Sequence, residues 1–96
     1  MDLLISEKAA EWYKDELMLN KGDSVRFFVR YGGFSSFQKG FSLGLSIEPA
    51  EHIGVKTEAS GITFYIREED LWYLDDHSVS ITLNEKLNEP EFNVVN

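Results

Sequence analysis

No cysteine occurs anywhere in these 96 residues, so nothing but packing can hold the fold together. Disulfides and thiolate-held metals, the usual supports of small domains, are both excluded. A chain of this length forms one domain, 1–96, and hides roughly 60–65% of its unfolded surface in a single modest core. The material for that core is aromatic: seven Phe, four Tyr and two Trp. Each such ring buries a large area, which suits a small protein without covalent staples.

The charge balance narrows the partners. Nine Lys and Arg stand against 17 Asp and Glu, a formal net charge of -8. Nucleic acid and anionic membranes repel such a surface, and no basic stripe reverses the sign locally. A cation, a basic protein partner or simple solubility fits better, solubility being the commonest reason, and the aromatic load permits a homo-oligomer. The opening Met1-Asp2-Leu3-Leu4-Ile5 lacks the basic and apolar regions of a signal peptide. No apolar run approaches the roughly 20 residues of a membrane span. The expected location is the cytoplasm.

Local patterns predict an α+β fold. Leu3-Leu4-Ile5 reads as a short strand and Ser6 as an N-cap, with Glu7 in the first turn to meet the helix dipole. Ala9, Trp12, Tyr13 and Leu17 then recur at helical spacing. Asn20-Lys21-Gly22-Asp23 stops that helix, with Gly22 suited to the left-handed conformation beyond its end. Val25 to Tyr31 is rich in β-branched and aromatic residues, and Phe41 to Ile47 alternates with period two, so both are strands. Val55–Glu58 and Ile62–Ile66 flank Ala59-Ser60-Gly61 as a hairpin. Arg67-Glu68-Glu69-Asp70 opens a second, short helix, packed on the sheet by Leu71, Trp72 and Leu74. Val79 to Leu83 is a further strand, Glu85 to Pro90 a loop, and Phe92 to Val95 a last short strand. The sum is two helices among six or seven strands, in mostly antiparallel, curled sheet.

The most unusual stretch is Gly32-Gly33-Phe34-Ser35-Ser36-Phe37. Paired glycines and small serines let backbone approach a ligand closely, and Phe34 and Phe37 are suited to anchoring a partner. The same composition fits a plain turn between strands, with both rings folded onto the core. It is no phosphate loop, since no Gly-Lys-Ser/Thr ending or helix follows. Gly32, Gly33, Phe34, Ser35 and Phe37 are the candidate binding residues. His52 and His77 each sit beside carboxylates, but neither has the spacing of a metal site. No nucleophile is framed by an activating motif, and 17 carboxylates single out no acid–base pair. The residues therefore predict a non-enzyme without cofactor or metal.

These elements and motifs resemble the HesB/IscA-type domain, the A-type carriers of iron–sulfur cluster assembly. Gly32-Gly33-Phe34-Ser35-Ser36-Phe37 is similar to that family's Gly-Gly-Cys-Ser-Gly-Phe, and Tyr73-Leu74-Asp75 to its Tyr-Leu-Asp. Glu91-Phe92-Asn93 stands near the family's Phe-x-Asn-Pro-Asn. Phe34 occupies the position of the first cysteine, and the closing Cys-Gly-Cys is absent. The chain thus resembles the short, cysteine-lacking YneR-like group of the family. The resemblance implies the HesB-like fold and an accessory or binding protein of iron–sulfur cluster assembly, unable to hold a cluster through cysteine. The alternative expectation is iron or small-ligand binding through carboxylates and imidazoles, using His52 or His77.

Overall fold

A computed structural model describes residues 2–31 and 41–95. Its elements are β1 (Leu3–Ile5), α1 (Glu7–Glu16), β2 (Ser24–Tyr31), β3 (Phe41–Ile47), β4 (Ile53–Ala59), β5 (Ile62–Arg67), a 3₁₀ helix (Glu68–Leu74), β6 (Ser78–Asn84) and β7 (Glu89–Val95). The architecture is α+β, as the residue patterns predict.

Capping sets both ends of α1. Ser6 is extended and its hydroxyl accepts from the Ala9 N–H at 3.1 Å. At the other end the Leu19 N–H donates to the Lys14 carbonyl at 2.9 Å. Met18 between them is left-handed, with φ 54°. That is a Schellman-type stop, closed by buried Leu19. Gly22 also has positive φ, 98°, but lies farther along the loop and does not cap the helix as expected.

The strands form two sheets, in the orders β1-β6-β7 and β3-β2-β5-β4. Both are mixed. β1 runs parallel to β6 and β2 parallel to β5, while β2–β3, β4–β5 and β6–β7 are antiparallel. Three of the five pairings among the described residues are thus antiparallel, as expected of a mostly antiparallel arrangement, and the two parallel ones are what the residue patterns do not anticipate. β1 must turn through α1 before the chain returns, so its partner arrives from far along the sequence. β4 and β5 meet in a two-residue turn, Ser60 (φ 53°) and Gly61 (φ 77°), the positive pair that matches the twist of a hairpin. β7 begins at Glu89, three residues before the predicted Phe92. It is the outer strand of its sheet, so Pro90 costs no ladder hydrogen bond if its missing N–H faces away from β6.

Alternation assigns the faces. Val25 and Phe27 of β2, and Ile62, Phe64 and Ile66 of β5, are buried toward α1 and the smaller sheet, where they meet Tyr13, Val79 and Ile81. Among the rings, Phe27 and Phe64 stack at 6.1 Å, and Tyr13 meets Phe27 at 5.8 Å and Phe64 at 5.7 Å. The 3₁₀ helix buries Tyr73 and Leu74, whereas Trp72, expected to pack on the sheet, is half exposed. No helix among the described residues is long and apolar enough to cross a membrane.

Candidate functional site

The two sheets approach each other along β1 and β4 and part on the opposite side. There the outer strands are β3 and β7, and between them lies a groove of about 390 Å³. Leu43, Gly44 and Leu45 of β3 form one wall and Glu89, Pro90 and Phe92 of β7 the other. Trp12 and Tyr13 of α1 and Phe27 of β2 make the floor. The floor is rigid. Phe27 meets Phe92 edge-on at 5.4 Å, and Trp12 meets Tyr13 edge-on at 5.3 Å. The Trp12 Nε1–H donates to the Asn88 carbonyl at 2.8 Å, which ties α1 to the turn between β6 and β7.

The other face of the larger sheet is already occupied. Arg26 reaches Asp70 at 3.2 Å, Glu69 at 3.4 Å and Glu48 at 3.6 Å. Arg67 reaches Glu48 at 3.1 Å and Glu69 at 3.6 Å. Glu48 also accepts a hydrogen bond from the Ser46 hydroxyl, and this bond, helped by the two guanidinium groups, holds its carboxyl below the usual range. Tyr65, wholly buried on this face, donates its hydroxyl to the Pro49 carbonyl at 2.9 Å. Residues 48–52 and the 3₁₀ helix therefore cover the part of that face around Arg26, Tyr65 and Arg67. Other clefts among the described residues lie beside the Ser60-Gly61 turn and beside His52 and Arg67; the groove between β3 and β7 is the one lined by aromatic and aliphatic side chains.

Chemically the groove is a mainly apolar surface. Its lining includes one carboxylate, Glu89, and one phenol, Tyr13, whose pKa is raised by burial so that it stays protonated. Neither is paired there with a nucleophile or base. An apolar floor with rings held edge-on suits the side chains of a docked protein.

The residues singled out from sequence, Gly32, Gly33, Phe34, Ser35 and Phe37, lie outside the described residues. The structure describes the strands that lead into and out of that stretch, β2 and β3, paired up to Tyr31 opposite Phe41. His52 stands at φ 50° with its carbonyl accepting from the Glu68 N–H, and the His77 N–H donates to the Leu74 carbonyl. They are on separate turns, and among the described residues no three His, Asp or Glu side chains converge to hold a metal ion. Sequence reasoning missed the groove because Trp12, Leu45 and Phe92 carry the same apolar signal as the core.

Comparison with known proteins supplies the family. Over 92 residues the chain is 53% identical to the pyruvate dehydrogenase inhibitor of Bacillus subtilis (strain 168), an alignment that spans 96% of this chain and 97% of that protein. The chain belongs to the family of this inhibitor. Uncharacterised proteins of Staphylococcus saprophyticus (40% identical; 93% of this chain and 94% of theirs) and Staphylococcus haemolyticus (38%; 84% and 85%) are further relatives of this inhibitor family. No known family profile matches the chain. The inhibitor relationship corrects the functional expectation. Neither an accessory role in iron–sulfur cluster assembly nor iron binding through carboxylates and imidazoles agrees with a relative so similar and so named. The resemblance to a cluster-carrier domain rested on short motifs, and motifs transfer scaffold more safely than chemistry.

Proposed function

We propose that this chain is a regulatory protein that docks on a pyruvate dehydrogenase and lowers its activity, doing no chemistry of its own. The observation that carries this reading is 53% identity over 96% of the chain to a protein named for that inhibition. Identity at this level along nearly the whole length supports a shared fold with that protein. The groove between β3 and β7 supports docking, since its lining is apolar and aromatic and offers no nucleophile–base pair. The reading includes a protein partner and a cytoplasmic location.

The test is a pyruvate-, CoA- and NAD-dependent assay with purified Bacillus pyruvate dehydrogenase complex, titrated with this protein. A docking inhibitor lowers NADH formation immediately and saturably, and the rate returns on dilution. Loss of activity that grows with incubation and survives dilution would mean covalent modification, and an unchanged rate at large molar excess would end the proposal.

A further inference from the structure

We propose that β3 pairs antiparallel with β3 of a second copy of this chain, the two-fold axis passing through Gly44, so that two four-stranded sheets become one of eight strands. The case begins with how the outer strands are protected. An outer strand offers unpaired backbone N–H and C=O groups to any passing strand, and proteins blunt such edges with charge, proline, bulges or brevity. Among the described residues there are four outer strands. β1 has three residues. β4 carries Lys56 and Glu58 and a register shift between Ile53 and Val55. β7 carries Glu89, Pro90 and Glu91. β3 has none of these devices: it is seven residues long, Phe41-Ser42-Leu43-Gly44-Leu45-Ser46-Ile47, uncharged and without proline. Leu45 and Ile47 are 38% and 54% exposed on it.

The same seven residues select the occupant. Read from either end they give one pattern: a large apolar residue, serine, leucine, glycine, leucine, serine, a large apolar residue. Antiparallel pairing about Gly44 therefore sets Leu43 opposite the partner's Leu45 and Ser42 opposite the partner's Ser46, with the apolar positions of both copies on one face. A foreign strand would have to supply that alternation, whereas a second copy carries it by construction. At the centre, the Phe28 ring and the Arg30 stem fill the space in which a Cβ on Gly44 would stand, 2.8 and 2.5 Å away. No side chain projects from the axis itself. The net charge of -8 opposes association of two copies, but no acidic residue lies on β3 to concentrate that repulsion at the contact.

Sedimentation at micromolar concentration should give twice the 11.0 kDa of one chain. Leu45→Lys and Ile47→Lys, at exposed positions, should each keep the circular dichroism of the parent and sediment as single chains. Register is tested by cross-linking, which the absence of native cysteine makes unambiguous. Ser42→Cys mixed with Ser46→Cys should oxidise to a covalent dimer, since directly opposed residues lie about 4.5–5.5 Å apart. Ser46→Cys alone should not: four residues along the strand put the two thiols about 13 Å apart, against the about 4.4–6.8 Å a disulfide spans. A wild-type chain that stays at 11.0 kDa, a dimer untouched by both lysine variants, or equal cross-linking of Ser46→Cys alone would each overturn the proposal. None of these measurements involves pyruvate dehydrogenase, so failure here is distinct from failure of the inhibitor reading.

Discussion

Phe27 joins the core to the groove, and its removal tests the packing argument on which everything else stands. The side chain is 1% exposed and meets three rings, Tyr13, Phe64 and Phe92, at 5.4–6.1 Å. Phe27→Ala takes away the transfer energy of a buried ring and leaves a cavity between two sheets that cannot both move inward. Such substitutions cost about 3–5 kcal/mol. For a domain of this size each kcal/mol lowers Tm by about 4–8 °C, so the smallest expected fall is about 12 °C. The assay is thermal unfolding followed by far-ultraviolet circular dichroism, with Leu87→Ala as control at a position 65% exposed. The control should move by no more than about 0.5 kcal/mol. A double-mutant cycle with Phe92→Ala should then give a coupling of about 0.5–1.5 kcal/mol for the edge-on pair. A Phe27→Ala shift no larger than the control's would refute the assignment of these rings as the structural centre.

Further outcomes follow from single contacts. Trp12→Phe keeps a ring but loses the hydrogen bond to the Asn88 carbonyl, so stability should fall by about 0.5–1.5 kcal/mol in urea titration. Gly61→Val puts a β-branched residue at φ 77° with its Cβ 2.9 Å from the Lys21 stem, and should lower Tm more than Ser60→Ala. Glu48 has a folded pKa below its ordinary 4.5, so its contribution is complete above that value and disappears as pH falls through the folded one. Glu48→Gln should therefore melt below wild type at neutral pH, with the gap closing in acid; a gap that widens in acid would contradict the sign.

Much of the fold was legible in local chemistry. Alternation alone marked β3 as residues 41–47, Ser6 announced the start of α1, and Ser60-Gly61 the β4–β5 turn. These are signals set by neighbours in sequence. The parallel pairings β1–β6 and β2–β5 were not legible, because each joins strands separated by other elements and depends on how the whole layer closes. Met18 carries no sequence signal of a left-handed stop, since a methionine side chain does not favour that conformation; the buried anchor at Leu19 accompanies it. The groove was illegible for a different reason. Its residues come from α1, β2, β3 and β7, and apolar periodicity identifies a covered face without saying which part of it a neighbouring strand fails to reach.

The inhibitor reading and the β3 pairing, though tested separately, meet in one consequence. The groove wall of Leu43 and Leu45 lies on the inner side of β3, and the two-fold axis through Gly44 sets the partner's Leu45 and Leu43 directly beyond it. Two grooves then adjoin across the axis as a single apolar trough, and an inhibitor held at two places gains from effective concentration what neither groove supplies alone. Variants should divide accordingly. Phe92→Ala damages each groove but leaves β3 intact, so it should weaken inhibition while the protein still sediments as two chains. Ile47→Lys, on β3 but outside the groove lining, should abolish the dimer and weaken inhibition, and joining two Ile47→Lys chains by a flexible linker should restore part of the loss. Full inhibition by an Ile47→Lys single chain would show that each groove acts alone and that β3 pairing serves the edge rather than the enzyme.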